Sequence, residues 1–404
     1  METASLSVLV FTHRIPFFQN SGYAIVAYNT IKGLVEEGHR VTVISLNTDS
    51  RLLKKIDDPL AKKVEFISFP VTVQVTAMNV LRALLTDKRF RNERYLSTTA
   101  DRSLAAELRK KTFDIIHLEG LPVTAYLPTI RKNSKAKVIF RPHNTGYEVW
   151  KRMAQQVNNL FRKWYLNRFA KKMRVFETEH INRFDGVAAI SDFDRQNFER
   201  VGCHVPIAVF PAAIDPDKYH PDRNKTEINS LFFLGSMDWL PNREGLEWFL
   251  DQFCEHFTGG DLKGKLYVAG HDMPEEFDRF ENNRDVFIAG EVDDALEYIN
   301  SKSIMVVPLL SGGGMRIKII EGMAMEKCII STTIGAEGIS CEPGTHLFIA
   351  DDKEAFYEAI SRCLSDEQLC RQIGKKAREH ALARHDYRKI AQQLSTFYRQ
   401  VIAA

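Results

Sequence analysis

The chain has 404 residues, 44% of them hydrophobic and 26% charged, a balance typical of an ordinary soluble globular protein. This length predicts two domains of roughly 200 residues, and no apolar run approaches the ~20 residues of a membrane-spanning helix. The net charge of +3 conceals an asymmetry: residues 1–205 hold 33 Lys and Arg against 20 Asp and Glu, and the remainder holds 22 against 32. The first half therefore either faces an anionic partner or carries a solvated basic surface.

The six cysteines form no CxxC pair and have no regular spacing, which predicts reduced thiols in a cytoplasmic protein. The N-terminal LSVLVF is too short for the apolar region of a signal peptide, and no basic segment precedes it. It therefore predicts a first β-strand.

Strand-like and helix-like segments alternate along the first half. SVLVF predicts a strand, and after the loop THRIPFFQNSGY the segment AIVAYNTIKGLVEEG predicts a helix that Gly38 ends. Further strands are predicted in RVTVISL and over 64–69, 113–120, 137–144, 186–191 and 206–211. Alternation of this kind is typical of βαβ units and a mainly parallel sheet.

The cycle restarts at SLFFLG (230–235), which leads through the loop SMDWLPNREG into a helix, LEWFLDQF. Four more strands are predicted in KLYVAG, DVFIAG, IMVVPLL and CIISTTIG, and DYRKIAQQLSTFYRQVIAA predicts a long final helix. The fold class is therefore α/β with two doubly wound domains, joined in the proline- and charge-rich segment 211–227. Ligands of such sheets bind at the carboxyl ends of strands.

The segment SGGGMRIKIIEGMA (311–324) follows a predicted strand and opens a helix. Its glycines let the backbone approach a phosphate, and the helix N-terminus adds partial positive charge. Arg316 and Lys318 add full charges one turn into the helix, and the carboxylate of Glu321 can accept hydrogen bonds from ribose hydroxyls. This order predicts a nucleoside diphosphate site. The alternative is a glycine-rich turn with a solvated Arg and Lys.

Several segments together resemble the family-4-type glycosyltransferases with a GT-B fold. PLLSGGGMRIKIIEGMAMEKCIISTTIGAEGI resembles the C-terminal signature of that family, and FLGSMDWLPNREGLEWF resembles the opening of its second domain. RPHNTGYEVWKRMA and ETEHINRFDGVAAISDFDRQNF resemble the end of its first domain, and PAAIDPDKYHP resembles its interdomain connection. The resemblance covers nearly the full length.

The resemblance implies two Rossmann-like domains that face a central cleft. They would be residues 1–208, with a final helix of about 388–404 packed back on them, and residues 209–387. It implies transfer of a sugar, with retention, from a UDP- or GDP-linked donor to a glycan or lipid-linked acceptor in cell-surface polysaccharide or glycoconjugate synthesis. No cofactor and no obligatory metal are implied.

Site residues are implied only where this sequence matches the family motif. Glu321 matches the ribose-binding carboxylate, whereas the first carboxylate of the motif would fall at Gly313 and is absent. The family's phosphate-binding Arg and Lys near the start of the second domain are replaced by Ser236 and Asn242. We therefore hypothesise that Arg316 and Lys318 supply that charge from the other loop. The predicted donor site comprises Gly22, Gly235, Arg243, Glu291, Val292, Gly312, Gly313, Gly314, Met315 and Glu321.

His143, in RPHN, matches a family histidine beside the reacting sugar, so the predicted catalytic set is His143, Arg316 and Lys318. His117 is a second histidine near a strand end, for which a structural role is the alternative. For Gly22 the alternative is a simple turn glycine. Predicted acceptor contacts are His117, Asn144 and Glu148.

Two Asp-x-Asp pairs, Asp192 to Asp194 and Asp215 to Asp217, predict a helix cap and a turn rather than a metal site. The stretch 149–176 holds eight Lys and Arg, no Asp or Glu, and interleaved aromatic residues, and residues 82–94 add further cations. Such a helix either lies at the inner face of an anionic membrane or packs its apolar stripe into the first domain, which is the commoner case. No nucleic-acid motif accompanies the charge.

Two other functions remain as alternatives. One is a catalytically silent partner that binds a nucleotide sugar, which the missing carboxylate at Gly313 would favour. The other is a different GT-B enzyme, such as a sugar-nucleotide epimerase or a phosphorylase.

Overall fold

The computed structural model describes residues 4–47, 56–71, 96–157, 159–281 and 284–404. The chain divides into two compact units: unit 1 is Met1–Ile214 with Tyr387–Ala404, and unit 2 is Asp215–Asp386. The division at Ile214 lies inside the 211–227 segment, slightly beyond residue 208 where the sequence placed it. The basic residues predicted over 82–94 lie outside the described part of the chain.

The described part of unit 1 contains a parallel sheet of seven strands. They are β1 (Ser7–Thr12), β2 (Arg40–Asn47), β3 (Glu65–Pro70), β4 (Ile115–Glu119), β5 (Lys137–Arg141), β6 (Gly186–Ala189) and β7 (Ile207–Val209). Their order is β3-β2-β1-β4-β5-β6-β7, and Val8 of β1 pairs with both Val41 and Ile115. Strands are added on one side of β1 as far as β3, and from β4 onward they are added on its other side. Ligand-binding residues are therefore expected after β1 and β4.

Helices cover both faces of this sheet. They are α1 (Gly22–Glu36), α2 (Thr98–Lys110), α3 (Leu127–Asn133), α4 (Gly146–Gln156), α5 (Leu160–His180) and α6 (Asp192–Arg200). Leu9 and Phe11 belong to the core on one face, and Val8 and Val10 belong to the core on the other. Burial on both faces explains why SVLVF is a continuous apolar run rather than an alternating one.

Unit 2 repeats the architecture, with six parallel strands in its described residues. They are β8 (Glu227–Leu234), β9 (Lys265–Ala269), β10 (Val286–Gly290), β11 (Lys302–Val307), β12 (Cys328–Ser331) and β13 (Phe348–Ile349), in the order β10-β9-β8-β11-β12-β13. Its helices are α7 (Leu240–Thr258), α8 (Ala295–Asn300), α9 (Ile317–Ala324), α10 (Lys353–Ser365) and α11 (Glu367–Arg384). The final helix, α12 (Tyr387–Ala403), belongs to unit 1. The predicted α/β class with two doubly wound sheets is confirmed.

Several predicted strands end earlier than the sequence suggested. Strand β4 stops at Glu119 because Gly120 adopts a left-handed φ of 85°, and β5 stops at Arg141 because Pro142 has no N–H to donate. The predicted helix cap and turn are confirmed: Ser191 Oγ accepts from the N–H of Asp194 at 3.1 Å, and Asp215 caps a 3-10 turn. Among the described helices, none combines the length and apolar character that crossing a bilayer requires.

Candidate active site

The glycine-rich loop of unit 2 joins β11 to α9 and depends on left-handed backbone. Gly312 has a φ of 107° and Gly314 a φ of 79°, values that residues with a Cβ rarely adopt. A Cβ on Gly312 would also lie 3.1 Å from the Trp239 ring. The loop therefore needs glycine for its conformation and for its close packing, and its backbone stays uncovered by side chains of its own.

Lys318 lies in the first turn of α9 and points to the carboxyl end of β8. Its Nζ donates to Asn242 Oδ1 at 2.8 Å and lies 4.6 Å from the centroid of the Phe233 ring. A Cβ on Gly235 would lie only 2.6 Å from that Nζ. Burial, and next the charge of Arg316, lower the pKa of Lys318 to about 7. The ammonium thus lies beside the loop where the sequence lacks the usual cations.

Arg316 does not lie one turn into the helix, as the sequence predicted. Helix α9 begins at Ile317, and Arg316 is its N-cap residue. Its side chain is buried, and its guanidinium donates to the backbone carbonyls of Gly314 and Ile334. The guanidinium therefore fastens the glycine loop to the segment that follows β12. This geometry makes Arg316 a positioning residue for the loop.

Glu321 lies one turn beyond Lys318 on the same helix. The Tyr219 hydroxyl donates to Glu321 Oε1 at 3.1 Å. Burial raises the pKa of Glu321 to about 7, although the bond from Tyr219 and the nearby lysines oppose that shift. Lys318 and Glu321 are three residues apart, so a cation and a carboxylate share one helix face.

The other predicted donor residues make different contacts. Arg243 pairs with Glu276 at the surface. Glu291 Oε2 lies 3.0 Å from His271 Nδ1, and hydrogen bonding to Glu291, followed by the charge of Asp272, raises the pKa of His271. Gly313, Met315 and Val292 are partly buried. Tyr219 was missed by sequence reasoning although it lies in the quoted PAAIDPDKYHP, because nothing in that segment pairs it with Glu321.

In unit 1 the predicted histidines meet at Glu119, the last residue of β4. His143 Nε2 lies 2.6 Å from Glu119 Oε1, His117 Nε2 lies 2.9 Å from Oε2, and Arg141 Nε lies 3.4 Å from Oε1. Burial alone would raise the pKa of Glu119, but the bonds from both histidines and the charge of Arg141 hold it well below its ordinary range. Glu119 is thus a buried carboxylate that orients two imidazoles.

The two histidines differ in exposure. His117 is fully buried, and its Nδ1 lies 2.7 Å from the hydroxyl of Tyr398, contributed by α12. Both ring nitrogens of His117 are therefore engaged, as the structural alternative for this residue requires. The side chain of His143 is 20% exposed, and its Nε2 alone is bonded to Glu119. His143 is the histidine that can meet a substrate.

Gly22 is the first residue of α1, whose N-cap is Ser21, and it is followed by Tyr23. The Tyr23 hydroxyl donates to the Glu119 carbonyl and accepts from the His13 N–H, both at 3.1 Å. Its ring lies 4.1 Å from that of His13 and 4.8 Å from that of His143, between centroids. The sequence signal for Glu119 was available, because it ends a predicted strand, but no spacing pointed to Tyr23 or His13.

Asn144 lies between β5 and α4, whereas Glu148 lies in the first turn of α4, where its Oε1 is 3.6 Å from Lys151 Nζ. The N-terminus of α4 already has an acceptor: Glu177 Oε1 accepts from the N–H of Gly146 at 2.7 Å, and its Oε2 accepts from that of Tyr147 at 3.3 Å. These two donors are therefore unavailable to a bound anion.

Comparison with known proteins identifies the family of the chain. Residues 20–218 match the family described as Glycosyltransferase Family 4, and residues 228–366 match the family described as Glycosyl transferases group 1. The chain belongs to the family-4-type glycosyltransferases with a GT-B fold. Together the two matches span most of the glycosyltransferase, including the glycine loop and the Glu119 cluster.

Two relatives of this glycosyltransferase show its similarity to known bacterial proteins. It is 24% identical over 298 residues to an uncharacterized 44.6 kDa protein in the cps region of Klebsiella pneumoniae, covering 72% of this chain and 75% of that one. It is 22% identical over 195 residues to the capsular polysaccharide biosynthesis glycosyltransferase CapM of Staphylococcus aureus, covering 45% of this chain and 51% of CapM.

Solved structures agree on the fold. Sucrose-phosphate synthase of Thermosynechococcus elongatus superposes with a TM-score of 0.74 at 17% identity, over 98% of this chain and 99% of that one. HepE of Anabaena, solved in complex with UDP, superposes with a TM-score of 0.69 at 12% identity, over 98% and 100%.

Proposed function

We propose that this glycosyltransferase moves a sugar from a UDP-linked donor, with retention at the anomeric carbon, to a glycan or lipid-linked acceptor in surface polysaccharide synthesis. The observation that carries the proposal is the succession of glycine loop, Lys318 and Glu321 along β11 and α9. The capsular relative supports the pathway class, and the UDP complex of HepE supports the choice of base.

In this proposal unit 2 binds the donor. Glu321, with Tyr219, accepts the ribose hydroxyls, and the loop N–H groups and Lys318 contact the diphosphate. Negative charge grows on that diphosphate as the bond to the sugar breaks, so a cation fixed beside it stabilises the transition state more than the ground state. For a retaining transfer, the leaving phosphate accepts the proton of the attacking hydroxyl on the same face.

His143 receives a defined role from Glu119. Because Glu119 stays a carboxylate, His143 Nε2 must carry the proton of that hydrogen bond, and in the neutral imidazole Nδ1 then presents a lone pair. We propose that Nδ1 accepts a hydrogen bond from a substrate hydroxyl.

A panel of UDP-, GDP- and ADP-sugars tests the proposal. We expect slow hydrolysis of one UDP-sugar, faster turnover with extracts that supply acceptors, and a retained anomeric configuration by NMR. Lys318→Ala should lower kcat/KM at least tenfold, whereas Lys353→Ala, at an exposed lysine of α10, should not. Inversion of the product would contradict the retaining mechanism.

The alternatives give other outcomes. A silent partner would bind a nucleotide sugar without any turnover, which the Gly313 substitution favours. An epimerase would release UDP and an epimerised sugar without needing an acceptor.

We also propose that the start of α5 docks on an anionic membrane surface. Leu160, Phe161 and Trp164 are 82%, 71% and 53% exposed, and Arg162 and Lys163 between them are exposed as well. Further along, Leu166, Ala170, Met173 and Phe176 are buried against unit 1. The helix thus packs as the commoner reading predicts, but it leaves residues 160–164 (the 160–164 patch) apolar, basic and uncovered, a composition that suits lipid head groups.

A further inference from the structure

Three cysteines that are scattered in the sequence meet inside unit 2. Cys328 begins β12, Cys363 lies near the end of α10, and Cys370 lies in the first turns of α11. Cys328 Sγ is 3.6 Å from Cys363 Sγ, and all three sulfurs lie within 4.8 Å of one another. All three side chains are buried. The six cysteines of the chain all lie in the described part and are free thiols.

We propose that Cys328, Cys363 and Cys370 form a three-thiolate site for Zn²⁺. Zinc binds thiolate sulfur at about 2.3 Å in tetrahedral geometry, which places two ligand sulfurs about 3.8 Å apart. Cys328 and Cys363 already lie at 3.6 Å, close to that distance, and the limit of 4.8 Å for all three sulfurs lets small side-chain rotations bring them to one ion. Soft thiolates select zinc over the hard cations that carboxylates bind.

A neighbouring cavity supplies an entry path and the fourth ligand. A cavity of about 100 Å³ opens onto Cys363 and Cys370 and is also lined by Arg223, Lys327 and Glu367. It has room for water, and a water molecule there completes the tetrahedron. Three thiolates around one Zn²⁺ leave a net charge of −1, which Lys327 opposes from the cavity wall.

Binding must release the thiol protons. Without metal, the Cys370 thiol donates to the Cys363 carbonyl at 3.2 Å, which requires that it carry a proton. One Zn²⁺ and one water replace three S–H protons, so three protons go to solvent and three Zn–S bonds form. The affinity for zinc should therefore rise with pH.

This site is separate from the proposed donor site. Cys328 stands at the amino end of β12, whereas the glycine loop and Lys318 lie at the carboxyl ends of β8 and β11. The site joins a strand and two helices of the same unit, and α11 packs so closely that a Cβ on Gly374 would lie 2.1 Å from the Glu326 carbonyl. Zinc there should stabilise unit 2 rather than take part in transfer.

Cobalt titration of the reduced full chain tests the site. We expect thiolate-to-cobalt charge-transfer absorbance and tetrahedral d–d bands that saturate at one Co²⁺ per chain and disappear when Zn²⁺ is added. Cys363→Ser and Cys370→Ser should abolish both signals, whereas Cys203→Ser, in unit 1, should leave them unchanged. Absence of the bands with folded wild-type protein would overturn the proposal, as would their persistence in Cys363→Ser.

A second measurement uses only the wild-type chain, in case a buried substitution prevents folding. Zinc at 100 times its dissociation constant should raise the Tm of unit 2 by at least about 5 °C. It should also protect Cys370 from alkylation at neutral pH. An unchanged Tm together with unchanged alkylation would contradict the site, whatever the variants show.

Discussion

At the scale of single residues, the pKa values of Lys318 and Glu321 are shifted from opposite directions to about the same value. Burial lowers the pKa of Lys318 to about 7 and raises that of Glu321 to about 7. Above that pH Lys318 loses the charge that attracts a diphosphate, and below it Glu321 loses the charge that accepts ribose hydroxyls. We expect affinity for a UDP-sugar to peak near pH 7 and to fall by up to tenfold per unit on each side, measured by calorimetry between pH 5.5 and 8.5.

A separate variant tests each limb of the pH dependence of UDP-sugar affinity. Lys318→Met should flatten the alkaline limb, and Glu321→Gln should flatten the acid limb. Lys353→Met is the matched control and should keep both limbs. An alkaline limb that survives in Lys318→Met would show that another group binds the phosphate.

Glu119 is expected to govern the stability of unit 1. Glu119→Gln removes the charge beside fully buried Arg141, so unfolding should become easier by about 3 kcal/mol. Because the pKa of Glu119 is lowered in the folded state, its stabilisation is full above the unfolded value of about 4.3 and is lost as the pH falls below it. Urea unfolding of unit 1 at pH 7 and pH 3 should show a smaller difference between wild type and variant at pH 3.

The control for that measurement is Glu148→Gln. Glu148 is partly exposed and pairs with Lys151 at 3.6 Å, so its loss should cost less than about 1 kcal/mol. A difference between wild type and Glu119→Gln that does not shrink at low pH would argue that packing, rather than charge, is what the substitution disturbs.

The residues that the sequence predicts for the site are those with a local signature. The glycines, Lys318 and Glu321 follow one another within a single segment, and His143 ends a predicted strand. Tyr219 lies 102 residues before Glu321, and Tyr398 lies 281 residues after His117. No local pattern reports such pairs, because only the chain fold brings them together. Arg316 was predicted from its place in the glycine-rich segment, but the sequence does not show the backbone carbonyls to which its side chain donates.

At the scale of elements, the glycine loop offers a test that separates strain from function. Gly312→Ala and Gly344→Ala both place a Cβ at a left-handed φ, 107° and 74°, so each should cost about 1–2 kcal/mol. Gly344 has open space around its Cβ position, whereas at Gly312 the new Cβ would press on Trp239. We expect only Gly312→Ala to weaken UDP-sugar affinity, measured by calorimetry. Equal affinities in the two variants would show that the loop does not contribute to donor binding.

The strands were predictable in existence and less so in extent. Continuous apolar runs identify strands that are buried on both faces, and β1, β5 and β11 carry such runs. The ends depend on single residues such as Gly120 and Pro142, and β13 has only two residues, too few for a pattern. Neither a helix that packs fully into unit 1 nor one that lies wholly on a membrane describes α5, because its first residues are exposed and its later apolar residues are buried.

At the scale of the whole molecule, two sheets with the same strand order follow from alternating patterns that restart at β8. Prolines and charges interrupt the apolar runs within 211–227, where the sequence predicts the connection, and the two compact units divide at Ile214. It did not locate the three-cysteine cluster, since Cys328 and Cys370 are 42 positions apart and belong to different elements. Spacing rules for metal sites assume ligands on one loop or hairpin, and this arrangement has neither.

The basic first half and the 160–164 patch together predict binding to anionic membranes. Vesicles of phosphatidylglycerol and phosphatidylcholine should retain the full chain in flotation, and pure phosphatidylcholine should retain little of it. Binding should fall as salt screens the charge. Changing Leu160, Phe161 and Trp164 to Ser should reduce retention at least tenfold because these side chains are exposed. Ile228→Ser, at an exposed apolar residue of unit 2, should not. Equal retention on both vesicle types would mean that charge does not direct the contact, and equal retention of the triple variant would move the contact away from α5.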